Sequence, residues 1–245
     1  MDIKGTTALV TGANRGIGRA FVEALLAAGA KKIYAGARDI KSLEIYAGSE
    51  TIIPLALDIN DATRIREVAA SHGDVDLLIN NAGIALFAGV IAAESLVAAR
   101  AEMETNYFST LEIIRAFAGV LKANGGGAIV NLSSIGGLVN VPVIGSYCAS
   151  KAAVHSMTQA VRAELASQNT LVVGVYPGPV ETAMAENFSM EKVPPSQIAE
   201  AVLQAVAEGV EDVYPDAMAS GIRDGLLGDG KSVEREFAAM LPGPA

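Results

Sequence analysis

The chain passes from a strand into a helix through the stretch TGANRGIG, residues 11–18, and this turn decides the fold. An apolar run over residues 6–11 precedes it, and a helical pattern over residues 15–28 follows. Three glycines let the backbone turn tightly and approach a ligand, and a helix N-terminus favours a negative group such as a pyrophosphate. Such a turn can also be purely structural, so by itself it favours a dinucleotide site without establishing one.

The rest of the chain repeats this alternation of strand and helix. We predict strands over residues 6–11, 32–37, 52–58, 75–80, 127–133, 170–176 and 211–214, and helices over 15–28, 61–71, 98–123, 146–167 and 196–208. Several of the runs are continuously apolar, which is typical of parallel strands covered on both faces. The pattern therefore predicts an α/β fold: a Rossmann-type, doubly wound, parallel seven-stranded sheet with helices on both faces.

One proline supports a particular strand order. Pro54 lies inside the third predicted strand, and proline is tolerated mainly at the edge of a sheet. The order 3-2-1-4-5-6 puts the third strand at the edge. We expect one domain over residues 1–245, with a looser, glycine-containing appendage over 216–245 that ends in an amphipathic segment over 232–241.

The composition excludes several classes of protein. Of the 245 residues, 18 are Lys or Arg and 27 are Asp or Glu, and the formal charge of −9 disfavours nucleic acid or an anionic membrane as a partner. The single Cys148 and only two histidines exclude a disulfide framework and leave little material for a metal site. With no signal-peptide pattern and no apolar stretch of about 18 residues, we expect a cytoplasmic protein without a metal.

Ligands of an open parallel sheet bind beyond the carboxyl ends of its strands, so the residues after each strand are the candidates. Arg38 follows the second strand, and with Arg15 it forms a candidate clamp for a 2′-phosphate, which favours NADP(H) while NAD(H) remains possible. Alternatively, Arg38 and Asp39 are solvated surface charges. Asp58 ends the third strand, where it can accept from an adenine amino group or simply cap the next helix.

Tyr147 and Lys151 lie four residues apart at the start of a predicted helix and therefore share one face. A cation beside the phenol would lower the pKa of Tyr147 towards working pH, which suits proton exchange with an alcohol or carbonyl oxygen. The pair alone is a weak signal, because many helices contain it by chance. His155, one turn further on, fits a packing or subunit-contact residue, and Cys148 points away and fits a small buried residue.

Together these residues resemble the short-chain dehydrogenase/reductase family over about residues 4–182. The matching motifs occur in the family's order: Thr11-Gly12-xxx-Gly16-Ile17-Gly18, Asn80-Asn81-Ala82-Gly83, Asn106, Ser134, Tyr147-xxx-Lys151 and Pro177-Gly178. Ser134 is preferred over Ser133 because it lies thirteen residues before Tyr147, the family's usual interval. The stretch Ala37-Arg38-Asp39 looks most like the NADPH-linked carbonyl reductases of the family.

The resemblance implies a catalytic tetrad. Tyr147 would be the general acid in reduction and the base in oxidation, and Ser134 would stabilise the substrate oxygen. Lys151 would hold the nicotinamide ribose and lower the pKa of Tyr147, and Asn106 would order a water on a proton path. The implied dinucleotide contacts are Gly12, Asn14, Arg15, Gly16, Ile17, Gly18, Arg38, Asp58, Asn80, Ala82, Gly83, Tyr147, Lys151, Pro177, Gly178, Val180 and Thr182.

The resemblance also places a substrate loop at residues 183–195. The larger side chains of this loop are mostly apolar: Met184, Phe188, Met190 and Val193. The other predicted walls of the site are also mostly apolar: Ile84, Leu86, Phe87 and residues 138–144. Only Lys192 adds a positive charge, which disfavours a strongly anionic substrate. We therefore expect a hydrophobic ketone or aldehyde, or a secondary alcohol, as the small-molecule substrate.

Three other functions remain open at this point. A sugar epimerase or dehydratase of the extended branch usually needs a longer C-terminal region. A 3-oxoacyl-thioester ketoreductase of the fatty-acid type would prefer basic residues at the mouth for its acidic carrier. A non-catalytic dinucleotide sensor typically loses the tyrosine or lysine, which this chain keeps. The family also implies a homodimer or homotetramer built on the long helices 98–123 and 146–167, with the appendage either folded over the site or contacting a partner subunit.

Overall fold

The computed structural model describes residues 1–186 and 189–241, which form one seven-stranded parallel sheet in the order β3-β2-β1-β4-β5-β6-β7. The predicted topology is confirmed, although most strands are one or two residues shorter than their apolar runs. Their bounds are β1 Thr7–Thr11, β2 Lys32–Ala37, β3 Ile52–Ala56, β4 Leu77–Asn80, β5 Gly127–Leu132, β6 Thr170–Val175 and β7 Asp212–Val213. Pro54 lies in β3, the edge strand, as its chemistry requires.

The helices cover both faces of the sheet. They are α1 Gly16–Ala27, α2 Ala62–Ser71, α3 Val97–Glu102, α4 Ser109–Ala123, α5 Gly145–Leu165, α6 Pro195–Glu208 and α7 Ala217–Ala238. Successive residues of β1 point to opposite faces, so Ala8 and Val10 join α1 and α6 in one core, and Leu9 joins α2, α4 and α5 in the other. Burial on both faces explains why the strands are continuously apolar.

The predicted helix over 98–123 is not continuous. A π-helical turn, Met103–Phe108, separates α3 from α4, and the amide of Ser109 bonds back to the carbonyl of Glu104, five residues earlier. The Ser109 hydroxyl adds a second bond to that carbonyl at 2.9 Å. A π-helical turn inserts one residue into the helical register and frequently marks a functional site.

The C-terminal appendage is more regular than its glycines indicate, and the expectation of a loose tail is wrong. Residues 217–238 form α7, which Asp216 caps by accepting from the amide of Ala219 at 2.8 Å. The helix breaks direction at Asp229, whose side chain accepts from the amides of Lys231 and Ser232, so the second half has its own cap. Among the described residues, no helix is long and apolar enough to cross a membrane.

Candidate active site

The turn after β1 is built around close backbone contacts. Gly12 and Gly16 have φ of +65° and +54°, values that favour glycine. A Cβ on Gly18 would lie 2.1 Å from the carbonyl oxygen of Gly12, so only glycine lets α1 start this close to β1. The side-chain Nδ2 of Asn81 supports the turn by donating to the carbonyls of Thr11 at 2.8 Å and Gly12 at 3.2 Å. The turn therefore presents its backbone amides to a groove beside β1 and β4.

A single cleft of about 1060 Å³ runs from this turn across the carboxyl ends of the strands. It brings most of the predicted site residues together: Gly12, Asn14, Arg15, Gly16, Ile17, Arg38, Asp58, Ala82, Gly83, Ser134, Tyr147, Lys151, Pro177, Gly178, Val180 and Thr182. Three predicted residues do not line the cleft. Gly18 lies behind the glycine-rich turn, and Asn106 lies behind Gly83. Asn80 is buried in β4, where its side chain donates to the Asn131 side chain at 2.9 Å. Asn81, which was not singled out, replaces Asn80 on the wall.

Two arginines lie at the end of the cleft beside β2. Arg15 and Arg38 are both exposed, and within residues 1–186 and 189–241 no carboxylate lies within 4.0 Å of either guanidinium. The neighbouring Asp39 also lines the cleft, and one oxygen of its carboxylate accepts from the amide of Lys41 at 3.0 Å. Asp58 lines the cleft and accepts from the amide of Asn60 at 3.0 Å. The alternative that it caps the next helix is wrong, because the cap of α2 is Asp61, which accepts from the amides of Thr63 and Arg64.

Tyr147, Ser134 and Lys151 meet at the opposite end of the cleft. The first turns of α5 carry Tyr147 and Lys151, and the Lys151 Nζ lies 5.8 Å from the centroid of the Tyr147 ring. The Ser134 side chain lies close enough to the Tyr147 hydroxyl to lower the pKa of the phenol, and its Oγ accepts from the amide of Gly136 at 3.1 Å. This arrangement fixes two hydroxyl groups side by side on the cleft wall.

The expected lowering of the Tyr147 pKa is not found in this structure. Burial of the phenol raises its pKa, and the hydrogen bond with Ser134 offsets only part of that effect. Lys151 is itself buried, which lowers its pKa to about 8, and its ammonium donates to the carbonyl of Leu132 at 2.7 Å. The ammonium group is therefore held at the end of β5 by the Leu132 carbonyl while it lies over the Tyr147 ring.

Asn106 has a different set of partners from the one expected. Its amide nitrogen donates to the carbonyl of Ile84 at 2.9 Å and to Ser150 at 2.8 Å, and its oxygen accepts from the amide of Ile84 at 2.8 Å. A Cβ on Gly83 would lie 3.0 Å from that oxygen and 3.5 Å from the Lys151 Nζ. Asn106 therefore anchors the chain after β4, next to the lysine, and its proposed water remains a prediction.

The remaining wall of the cleft is apolar and includes two side chains from the appendage. Phe237 and Met240 line it, and Phe237 is 5% exposed where it packs with Ile135 and Val139. The appendage thus covers the site of its own chain. The other apolar wall residues are Ile84, Phe87, Val141, Val143, Ile144, Met184 and Met190. In the sequence, the one indication that the appendage would contribute side chains to the cleft was the amphipathic pattern over residues 232–241, which places Phe237 and Met240 on the same side.

Several residues named from the sequence lie elsewhere. Leu86 is exposed and Leu138 half-buried, neither on the cleft wall, and Phe188 lies outside the described residues. Cys148 is 1% exposed, a small buried residue as expected. His155 packs edge-on against Tyr176, with its Nδ1 2.7 Å from that hydroxyl, and its lowered pKa follows from burial.

The model of the family described as short chain dehydrogenase matches residues 6–192. The chain belongs to this family. A short-chain dehydrogenase from Burkholderia cenocepacia J2315, solved in complex with NADP, is 42% identical to it and has a TM-score of 0.93, with 99% of this chain and 100% of that one covered. Mouse dehydrogenase/reductase SDR family member 7B is 33% identical over 247 residues, 93% of this chain and 74% of its own. A Burkholderia phymatum short-chain dehydrogenase/reductase solved with NAD covers 100% of both chains with a TM-score of 0.84, but at 23% identity it shows the fold alone.

Membership makes this short-chain dehydrogenase an NAD(P)-dependent oxidoreductase, and the local structure fits such a cofactor. The space that a Cβ on Gly18 would need is already taken by the Gly12 carbonyl, so the turn is tight enough to bring α1 and its amides up to a pyrophosphate. The residues that would hold the dinucleotide run from the Gly12–Gly16 turn through Ala82 to Pro177 and Thr182. All of them line the one cleft that also contains Tyr147.

Proposed function

We propose that this enzyme reversibly reduces a hydrophobic ketone or aldehyde to an alcohol with NADP(H), with Tyr147 exchanging the proton. The observation that carries the proposal is the pair of hydroxyl groups of Tyr147 and Ser134, which line the cleft that begins at the glycine-rich turn and lie close enough for Ser134 to lower the pKa of the phenol. Two adjacent hydroxyl groups can both donate to one carbonyl oxygen, which polarises the carbonyl and places a proton donor at hydrogen-bond distance.

The chain's own residues would act on the oxygen of the substrate. Ser134 donates to the carbonyl oxygen and stabilises the negative charge that develops on it, while Tyr147 transfers its proton to the same oxygen. The bound dinucleotide supplies the hydride for the carbonyl carbon. Lys151, whose pKa of about 8 lets it gain and lose a proton near neutral pH, is placed on the same helix face to return a proton to Tyr147. In oxidation the roles reverse, and Tyr147 accepts the proton.

The preference for NADP(H) rests on Arg15 and Arg38. Both guanidinium groups lie at the β2 end of the cleft without a carboxylate partner among the described residues, where they can bind a 2′-phosphate. We expect Arg38→Ala to weaken NADPH binding by about tenfold to a hundredfold and to leave NADH binding unchanged. Arg19→Ala is the matched control, since Arg19 is paired with Glu23 at 2.8 Å and lies outside the cleft. Tighter binding of NADH than of NADPH by the wild type would refute the preference.

The substrate class follows from the apolar wall. Phe87, Val141, Met184 and Phe237 line the same cleft as Tyr147, and among the described residues the only lysines and arginines that line it are Lys151 and the two arginines assigned to the cofactor, Arg15 and Arg38. A 3-oxoacyl thioester also presents a ketone at the end of an apolar chain, so it belongs in the substrate panel. Selective reduction of the carrier-bound thioester, with simple ketones left unreduced, would replace this proposal by the ketoreductase function.

The direct test is Tyr147→Phe, which removes only the hydroxyl group. We expect kcat for ketone reduction to fall by about 10²- to 10⁴-fold with NADPH affinity retained, because proton transfer is lost and binding is not. Tyr214→Phe makes the same change outside the cleft and should match the wild type. Equal activity of Tyr147→Phe and wild type would refute the mechanism. Binding of NADPH by a wild type that turns over no carbonyl would identify a sensor instead.

A further inference from the structure

A buried aspartate joins the C-terminal appendage to the sheet. Asp216 lies between β7 and α7, is 7% exposed and does not line the cleft. Its two carboxyl oxygens accept from two backbone amides, Oδ1 from that of Ala219 and Oδ2 from that of Gly178, both at 2.8 Å. The first bond caps α7, and a cap needs only one side-chain oxygen. The second bond leads to a residue of the cleft wall and therefore needs a separate explanation.

The bond to Gly178 continues the ladder between β6 and β7 beyond the last residue of either strand. The amides of Gly174 and Tyr176 donate to backbone carbonyls of the β7 segment at 2.8 and 2.9 Å. The next amide along this edge is that of Gly178, and its acceptor is the Asp216 side chain. A Cβ on Gly178 would lie 2.9 Å from the Asp216 Oδ1, so the carboxyl group lies directly against the backbone of residue 178. Asp216 thus fixes the outer edge of the Pro177-Gly178 turn.

The inner edge of the same segment holds the backbone of Ser134. The amides of Ser133 and Ile135 donate to carbonyls at the end of β6 and just beyond it, at 2.9 and 3.1 Å. The second of these acceptors is Pro177, the residue before Gly178. Ser134 lies between the two donating residues, so its backbone position follows that of the segment after β6.

The helix that Asp216 caps packs against the same turn. The residues after Ser134 share one apolar cluster with α7, formed by Ile135, Val139, Ala219, Ile222, Val233 and Phe237. Displacing the start of α7 would disturb this cluster, because protein interiors are close-packed and leave little room for a shift. Asp216 therefore acts on the Ser134 turn by two routes, the hydrogen-bonded segment after β6 and the apolar face of α7.

We propose that Asp216 is a positioning residue for the reaction, because it fixes the turn that carries Ser134 against the Pro177-Gly178 turn. A carbonyl oxygen bound to Ser134 then keeps a constant position relative to the residues that would hold the dinucleotide. The inference rests on the proposed function, in which Ser134 donates to that oxygen. Asp216 contributes alignment only, since it lies behind the cleft wall.

Three variants separate the helix cap from the bond to Gly178. Asp216→Ala removes both acceptors. Asp216→Ser keeps one oxygen, which caps a helix about as well as aspartate does, so it loses the bond to Gly178 and keeps α7 capped. Asp61→Ala is the matched control, because Asp61 caps α2 by accepting from two amides at 3.0 Å and does not line the cleft. Since Asp216→Ser retains the cap, it carries the test if Asp216→Ala does not fold.

The first measurement is hydrogen–deuterium exchange of the protein without cofactor, read by mass spectrometry. The decisive peptide contains the amide of Ile135, which bonds to Pro177 and not to Asp216 itself. We expect this peptide to exchange about tenfold or more faster in both Asp216 variants than in wild type, because the segment that holds it has lost its outer edge. Peptides of β1 report global unfolding, and after this correction Asp61→Ala should match the wild type. Unchanged exchange at Ile135 in both Asp216 variants would overturn the proposal.

The second measurement is the enantiomeric excess of the alcohol formed from a prochiral ketone at saturating NADPH and ketone. A carbonyl that is no longer aligned can receive the hydride on either face, so both Asp216 variants should give a lower enantiomeric excess and a kcat about tenfold or more lower. Asp61→Ala should match the wild type in both quantities. Wild-type kcat and enantiomeric excess in Asp216→Ser overturn the proposal even if exchange at Ile135 increases. A wild type that reduces no ketone instead overturns the proposed reaction, and the exchange data still decide whether Asp216 holds the Ser134 turn.

Discussion

Two helical glycines provide a matched test of how the dinucleotide turn is built. Gly18 lies in α1 and Gly119 in α4, and neither has a positive φ. A Cβ on Gly119 would meet nothing within 4 Å, whereas one on Gly18 would lie 2.1 Å from the Gly12 carbonyl oxygen and 2.5 Å from the Asn81 side-chain nitrogen. The same Gly→Ala substitution therefore isolates the effect of the close approach from that of helix propensity.

The expected magnitudes have opposite signs. Alanine stabilises an exposed helix position by about 1 kcal/mol relative to glycine, so Gly119→Ala should raise Tm by about 3 °C. Gly18→Ala gains the same propensity, but its Cβ is more than 1 Å inside ordinary contact with backbone atoms that cannot rotate away. Overpacking of this kind costs about 1–3 kcal/mol and more where backbone must move, which gives a net loss of about 1–2 kcal/mol and a Tm lower by about 5 °C.

The assay combines thermal unfolding with a cofactor titration. Displacing the Gly12 carbonyl moves the turn that faces the pyrophosphate, so Gly18→Ala should also bind NADPH about tenfold or more weakly, while Gly119→Ala binds it normally. Circular dichroism gives Tm without cofactor, and NADPH fluorescence at fixed ionic strength gives Kd. If Gly18→Ala has the same Tm as Gly119→Ala and binds NADPH as tightly as the wild type, the argument that the turn requires glycine at position 18 is refuted.

Three further predictions concern the cleft. The folded pKa of Lys151 is about 8 against 10.5 unfolded, so below pH 8 both states are protonated and the folded state carries the full desolvation cost, about 3 kcal/mol. Lys151→Met should therefore have a higher free energy of unfolding than the wild type at pH 7, and this difference should shrink as the pH rises towards 10.5. Urea unfolding of both proteins at pH 7 and near pH 10.5 measures the difference. Asp216→Ala leaves the amides of Gly178 and Ala219 without their acceptor, which should cost about 1–2 kcal/mol in the free energy of unfolding and weaken NADPH binding in a parallel titration. Phe237→Ala should lower the free energy of unfolding by about 2–4 kcal/mol and lower KM for bulkier ketones. Leu227→Ala, at a side chain 81% exposed on the same helix, should change neither quantity.

The sheet could be predicted because each of its determinants is local. The strands follow from seven apolar runs, and the edge strand follows from Pro54. The glycine-rich turn marks the point where the strand order reverses. None of these features depends on contacts between residues far apart in the sequence. The strand ends were less accurate, since residues such as Asp58 extend an apolar run beyond the last residue of the strand. The site residues followed from the topology, because a parallel sheet gathers the carboxyl ends of its strands at one edge.

The appendage and the tyrosine environment could not be predicted in the same way. Glycines favoured a loose tail, but burial of Phe237 and Val233 against Ile135 and Val139 overrides propensity in α7. The four-residue spacing of Tyr147 and Lys151 is compatible with a lowered phenol pKa, but it does not specify where the ammonium points. That direction depends on the Leu132 carbonyl, a partner from a different element.

Glu102 and Asn106 act on the same segment of chain. Glu102 accepts from the amide of Leu86, and Asn106 accepts from the amide of Ile84 and donates to its carbonyl. One helix end thus fixes the cleft wall after Gly83 at alternate positions, and Asn106 and Glu102 also bond to Ser150 and Ser146 on α5. Because one network connects the wall to the helix that carries Tyr147, substitutions at 102 and 106 should not be additive, and the double variant should lose less activity than the product of the single losses.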